Sequence, residues 1–172
     1  MPAENRTRLL RGPLSTLGLS IGVVTAICDQ AHKWWMLEVY DIDTKDFVSV
    51  SPYLDLVMVW NRGISYGLFQ QGAFGQYLLS AIAIVAVIGL TLWLSRITTR
   101  IGAAGIGLVM GGAIGNGIDR VVHGAVADFF SFHVGDFYWY VFNLADAAIV
   151  AGVIGLLYDS LFGSHKNVSK SP

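Results

Sequence analysis

Charge is scarce in this chain. Of its 172 residues only 13% are Asp, Glu, Lys or Arg, against 54% hydrophobic, and the mean hydropathy is +0.58. This excludes an ordinary soluble domain, in which about a quarter of residues are charged, and describes an integral membrane protein. A formal net charge of -1 leaves no electrostatic footprint for a polyanion, so nucleic acid is excluded as a partner. Cysteine is scarcer still: Cys28 stands alone, which rules out an internal disulfide framework and any multi-cysteine metal site. The histidines (His32, His123, His133, His165) are scattered, with no HExxH, and no GxSxG occurs, so zinc-hydrolase and serine-hydrolase chemistries lack their residues. A cleavage site is also missing. Arg6, Arg8 and Arg11 precede an uncharged stretch, 12–28, but no small-x-small site closes it, and Ile27 before Cys28 does not suit a lipid-modification box. The stretch is therefore expected to be a retained first span. No long repeat or low-complexity tract divides the chain, which predicts one integral membrane domain over 1–172.

Apolar segments are what the chain has in quantity. A helix needs about 20 mostly apolar residues to cross hydrocarbon, and four stretches qualify, roughly 12–35, 75–94, 101–120 and 141–162. The fold class predicted is an all-α membrane protein of four transmembrane helices, with a small extracytoplasmic β element on the membrane surface. Arg6, Arg8, Arg11, Arg96, Arg100, Lys166 and Lys170 fall in the tails and the 95–100 connection; Lys33, Lys45, Arg62 and Arg120 fall on the other side. The positive-inside rule puts both termini in the cytoplasm. Trp34, Trp35, Trp93, Tyr138 and Trp139, near helix ends, suit the interfacial belts. Two outer loops result, 36–74 and 121–140. The first contains an apolar run, 54–60, with strand character; the second is crowded with aromatic residues and is expected to lie at the interface. Gly107, Gly111 and Gly115 share one face of the third span and predict close helix packing, with Gly18 and Gly22 a weaker version in the first.

Polar residues collect at one depth. Asp29 and Lys33 fall toward the outer end of the first span, Asn116, Asp119 and Arg120 at that of the third, Asn143 and Asp146 at the start of the fourth, while Asn61 and Asp128 belong to the outer loops. Only the second span is read as contributing none. A carboxylate at the bilayer centre costs about 2.5 to 3.5 kcal/mol on insertion scales, so such residues face the protein interior and are paired. Asn116, Asp119, Arg120 and the Asp29 and Lys33 pair read chiefly as interhelical hydrogen bonds and ion pairs, with Arg120 neutralising a neighbouring carboxylate or a lipid phosphate. Too few intramembrane cations remain to pair both Asp128 and Asp146. Two close carboxyls must then share a proton, the working arrangement of an aspartic protease.

Five motifs in order, "DQAHK", "NRGISYG", "GGAIGNGIDR", "GAVADF" and "FNLAD", make the chain similar, from about residue 14 to 160, to the bacterial lipoprotein signal peptidases, signal peptidase II. The resemblance implies a four-helix aspartyl endopeptidase of the bacterial cytoplasmic (inner) membrane. Such an enzyme removes the signal peptide of a prolipoprotein by cutting N-terminal to a cysteine that carries diacylglyceryl. Asp128 and Asp146 match the catalytic pair. Asn116, Arg120 and Asn143 match polar residues lining the site, and Asn61, Asp29, Lys33 and Asp119 are supporting positions. No metal or organic cofactor is implied. The implied partners are the diacylglyceryl-prolipoprotein substrate, membrane lipid and globomycin-type cyclic peptide inhibitors, and the protein is expected to be a monomer. Ala127, Tyr66 and the Tyr140–Val141 approach to "FN" depart from the usual pattern, and bear on loop detail and substrate preference.

Two other classes compete. A small proton-coupled transporter would use Asp29 and Asp146 as a proton relay, but the polar residues do not thread the bilayer and no inverted repeat is visible. A structural assembly subunit held by the glycine stripe leaves the paired aspartates unexplained. The apolar outer loops, 52–69 and 129–142, are expected to cover the site and limit water.

Overall fold

The computed structural model describes residues 12–63 and 73–163. The tail residues Arg6, Arg8, Arg11, His165, Lys166 and Lys170, and Tyr66 of the "NRGISYG" motif, lie outside the described residues. Four long helices carry the fold: α1 Ser15–Trp34, α2 Ala73–Leu94, α3 Arg100–His123 and α4 Leu144–Tyr158, the last extended by a wider π-type turn to Gly163. Three of them are long and apolar enough to cross a membrane, over Gly75–Leu94, Arg100–His123 and Leu144–Phe162. α1 has the length, at 20 residues, but is not among the three, because Ser, Thr and the Asp29 to Lys33 cluster dilute its apolar residues.

Helix ends follow local chemistry. Thr99 caps α3, its hydroxyl accepting from the Gly102 N–H at 3.2 Å, and Gly124 closes the helix in the left-handed conformation, φ 68°, which costs glycine no Cβ strain. α3 thus runs three residues past the expected boundary at 120. On α2, Ile82, Ile84, Val85 and Ile88 are exposed, as apolar side chains are where lipid is the solvent.

α3 is the central helix, packed against the other three. Its glycine stripe packs closely against another helix as expected, and that helix is α1. A Cβ on Gly111 would meet the Gly22 carbonyl and Thr25, and one on Gly115 would run into the Asp29 carboxyl, so backbones approach there only because side chains are absent. Toward the other end, Leu94, Ala103, Ile106 and Met110 form a buried apolar cluster.

The segment 121–140 is not an irregular loop, which corrects the reading made from sequence. After α3 it forms β3 Val126–Val134 and β4 Phe137–Tyr138, and with β1 Val48–Ser51 and β2 Leu54–Asn61 these make a four-stranded antiparallel sheet in the order β1-β2-β3-β4. Alternation is hidden in "VADFFSFHV" because its first four residues are all buried: Ala127 and Phe129 pack with Met36 and Ile42 under the sheet, while Asp128 faces a polar cluster. β2 and β3 pair Val59 with Asp128 and Leu56 with Phe130, so β2 carries one extra residue opposite Phe129, a bulge beside Asp128. Phe142 pairs with Phe130 through backbone bonds of 2.9 and 3.0 Å, which ties the entry to α4 onto β3.

Candidate active site

Docking Phe142 on β3 places the next residue, Asn143, across from Asp128. Asn143 is the N-cap of α4: its Oδ1 accepts from the Asp146 N–H at 3.0 Å, and Asp146 returns an acceptor to the Asn143 N–H at 3.3 Å, a reciprocal capping box. A backbone N–H can only donate, so the Asn143 oxygen must face Asp146 and its NH2 must face away. That NH2 reaches Asp128 Oδ1 at 2.7 Å, Asn116 Oδ1 at 3.0 Å and the Ala127 carbonyl at 3.3 Å. One buried asparagine therefore links the two carboxyls.

Each carboxyl has a further donor. Asn61 on β2 gives its side-chain N–H to Asp128 Oδ2 at 3.0 Å, and Asn116 on α3 gives one to Asp146 Oδ1 at 2.9 Å. Asp128 is 1% exposed and Asn143 fully buried. Burial first and the neighbouring Asp146 second push the Asp128 carboxyl up to about 7, against the Asn61 and Asn143 hydrogen bonds and the more distant Lys33 charge.

Behind this pair sits a charged cluster. Lys33 Nζ lies 2.9 Å from Asp29 and 2.8 Å from Asp119, and donates to Asn116 Oδ1 at 3.1 Å. Asp29 also accepts from the Ala145 N–H at 2.9 Å, occupying another free donor at the start of α4, and Asp119 accepts from the Ala127 N–H at 3.1 Å. The reading of Asp29, Lys33, Asp119 and Asn116 as interhelical bonds and ion pairs thus has its partners.

Arg120 corrects an expectation. Among the described residues no carboxylate lies within ion-pair distance of it. Its guanidinium donates to the Asn116 carbonyl at 3.2 Å and the Gly63 carbonyl at 3.5 Å, and its Nε has no partner there. The position of Arg120 on α3 aims the chain at the 61–63 backbone, so its charge acts on Asp146 and Asp128 only at longer range. The second helix is also not free of polar groups. Gln76, buried in its first turn, donates to the Arg62 carbonyl. Gln30, present in the "DQAHK" motif but given no role from sequence, has its amide bridging Asp119 at 2.9 Å and the Gly115 carbonyl at 3.2 Å.

Beside Asp146 opens a groove of about 440 Å³, walled by Val150 and Ile154 of α4 and roofed by Phe132, Trp139 and Phe142. Its lining is almost wholly apolar. Among the described residues no group of His, Cys, Asp and Glu could hold a metal ion.

The sequence pattern of the family described as Signal peptidase (SPase) II matches residues 21–162. A lipoprotein signal peptidase of Nitrobacter hamburgensis is 54% identical over 148 residues, spanning 83% of this chain and 90% of its own length. One from Rhodopseudomonas palustris is 50% identical over 153 residues, spanning 86% and 93%. A solved bacterial membrane enzyme superposes with a TM-score of 0.75 at 26% identity, over 94% of this chain and 96% of its own. A second gives 0.73 at 26% identity, over 88% and 96%.

Proposed function

The chain belongs to the signal peptidase II family, and from that premise we propose that it is an aspartyl endopeptidase that cuts diacylglyceryl-modified prolipoproteins N-terminal to the lipidated cysteine. The observation that carries the aspartyl assignment is the pair of buried Asp128 and partly buried Asp146, linked through Asn143 and supplied with amide donors on both sides. The two carboxyls hold one proton between them and titrate as a unit.

The chemistry follows from that shared proton. The ionised carboxyl takes a proton from a water molecule, whose oxygen attacks the carbonyl carbon before the cysteine. The protonated carboxyl donates to the carbonyl oxygen as negative charge develops there. Collapse of the tetrahedral intermediate breaks the C–N bond, and the proton passes to the cysteine nitrogen as it leaves. Asn61, Asn116 and Asn143 hold the carboxyls in place, so the groups are oriented before substrate arrives. The apolar groove beside Asp146 suits the greasy part of such a substrate. In this reading β2 and β3 limit water at the pair, the covering role expected of the 52–69 and 129–142 segments, of which 64–69 lie outside the described residues.

α1 supplies the fourth span in this reading. Its Asp29 and Lys33 are neutralised against α3 and α4, which removes most of their cost in hydrocarbon. Both termini then lie in the cytoplasm of a bacterial inner membrane and the carboxyl pair lies toward the outer leaflet. The protein works as a monomer, in contact with membrane lipid, and globomycin-type cyclic peptides occupy the substrate site. The transporter alternative finds no support: the buried charged residues and asparagines, Asp29, Lys33, Asn116, Asp119, Asp128 and Asn143, form one connected network.

The deciding experiment is a gel-shift cleavage assay on a purified, lipidated precursor with the reconstituted protein. Cleavage that requires the diacylglyceryl group and stops with globomycin is the expected result. Absence of cleavage, together with pH-driven flux in proteoliposomes, would overturn it.

A further inference from the structure

Asn116 is chemically ambiguous: its amide could present either its oxygen or its NH2 to Asp146, and the two choices have opposite effects on a carboxyl. Lys33 removes the choice. An ammonium has three donors and no acceptor, so the Asn116 atom 3.1 Å from Nζ must be the oxygen, and the NH2 must be the group 2.9 Å from Asp146. The same oxygen accepts from Asn143 Nδ2 at 3.0 Å; that amide is itself fixed by the Asp146 N–H, so Lys33 and Asn143 hold the Asn116 oxygen together. Lys33 itself cannot swing away. Asp29 and Asp119 hold it at 2.9 and 2.8 Å, and it is 3% exposed.

We propose that Lys33 is a positioning residue for the carboxyl pair: gripped by Asp29 and Asp119, its ammonium holds the Asn116 oxygen so that Asp146 faces the Asn116 N–H donor. The proposal rests on the reading of Asp128 and Asp146 as the reacting groups. Without the ammonium the amide can turn over. Its oxygen then meets Asp146 Oδ1, acceptor against acceptor, and its NH2 meets the NH2 of Asn143, donor against donor. Asp146 loses the donor that helps it bear negative charge, while Asp128 keeps those of Asn61 and Asn143. The charged groups facing the pair are Asp29 and Lys33 from α1, and Asp119 and Arg120 from α3; Asp128 comes from β3 and Asp146 from α4. Of the two cations only Lys33 touches the asparagine side chain, since Arg120 bonds the Asn116 backbone carbonyl instead.

A double-mutant cycle with Lys33→Met and Asn116→Leu tests this, using the full chain in detergent and the lipidated precursor. Lys33→Met should lower kcat by between about threefold and a hundredfold, the range of coupling between touching groups, with KM little changed. In the Asn116→Leu background the same substitution should lower kcat hardly further, and both single variants should shift the pH profile of kcat in the same direction. Additive losses with an unmoved profile would mean that Lys33 only ties α1 to α3, and would overturn the proposal. Lys33→Met leaves Asp29 and Asp119 buried without their cation. Should it fail to fold, Lys33→Met with Asp119→Asn restores the charge balance, and the cycle is read from that background. A readout independent of cleavage is the infrared carbonyl band of the protonated carboxyl, assigned by its loss in Asp128→Asn and Asp146→Asn. It should move in the Lys33 variant. A band that stays in place overturns the positioning role, whereas a band that moves in the Lys33 variant while the wild type cleaves nothing overturns only the peptidase reading.

Discussion

Asp128 concentrates the cost and the use of burial in one side chain. The peptidase reading predicts that Asp128→Asn and Asp146→Asn each fold yet lose at least about a hundredfold in turnover of lipidated precursor, the lower range for a positioned acid or base; substantial turnover by either would defeat the aspartyl assignment. The sign of the pH dependence follows from the raised value at Asp128, about 7 against an ordinary 3.8. The folded protein holds a proton there that the unfolded chain would release, so this group's contribution to stability is complete below about pH 4 and is lost as pH rises through 7. Thermal unfolding between pH 5 and pH 8 should show a fall in Tm in the wild type that is smaller in Asp128→Asn. Activity should decline on the alkaline side as the shared proton leaves. Asn61 donates to the ionised form, so Asn61→Val should move that alkaline limb to higher pH; movement to lower pH would contradict the hydrogen bond as described. Asp128 itself was readable in the chain as a carboxylate in a greasy setting. Its partners were not, because hydrogen bonds from Asn61, 67 residues away, leave no mark in local pattern.

At the scale of elements, the start of α4 does two jobs with one residue. Asn143 caps the helix and links the carboxyls, so the two roles can be separated by substitution. Asn143→Ala should cost about 0.5 to 2 kcal/mol as a lost N-cap, while Asn143→Ser keeps a good cap but not the reach to Asp128. Tm should therefore be nearer wild type in the serine variant, with cleavage poor in both; a serine variant as active as wild type would show that the link is dispensable. The α1 and α3 contact makes a sharper contrast. Gly111→Val forces a side chain into the Gly22 backbone and should lose most folded protein, while Gly117→Ala, with nothing within 4 Å of its added Cβ, should be neutral in size-exclusion yield. The glycine stripe was legible because four-residue spacing marks one helical face. The strands of 126–138 were not, since a strand buried on both faces loses the alternation that announces it.

For the whole molecule, the testable quantity is which side each turn faces. Replacing Cys28 with Ser leaves no cysteine, and single cysteines can then be placed at Thr98, between α2 and α3, and at Asp136, in the exposed β3 to β4 turn. An impermeant thiol reagent applied outside intact cells should label the Asp136 position and spare the Thr98 position. Labelling of both, or the reverse, would contradict the proposed orientation. Both expectations follow from where the arginines lie, since Arg96 and Arg100 flank Thr98.

Length and apolarity alone determined the helices: α2, α3 and α4 are each near 20 apolar residues because hydrocarbon offers the backbone no other partner, and the observed ends lie within a few residues of those read from composition. The spacing of polar residues also determined that Asn143 and Asp146, and Asp29 and Lys33, would share faces. Which of these residues touch across helices was decided by tertiary structure alone. Lys33 bridges α1 to Asp119 and Asn116, Arg120 bonds the Asn116 and Gly63 carbonyls rather than a carboxylate, and Asn143 joins Asp128 to Asp146. The physical reason is that a buried charge or amide must find a partner somewhere, which sequence reveals, whereas the partner it finds depends on helix approach and strand register. Those were set here by glycines along α3 and a bulge in β2.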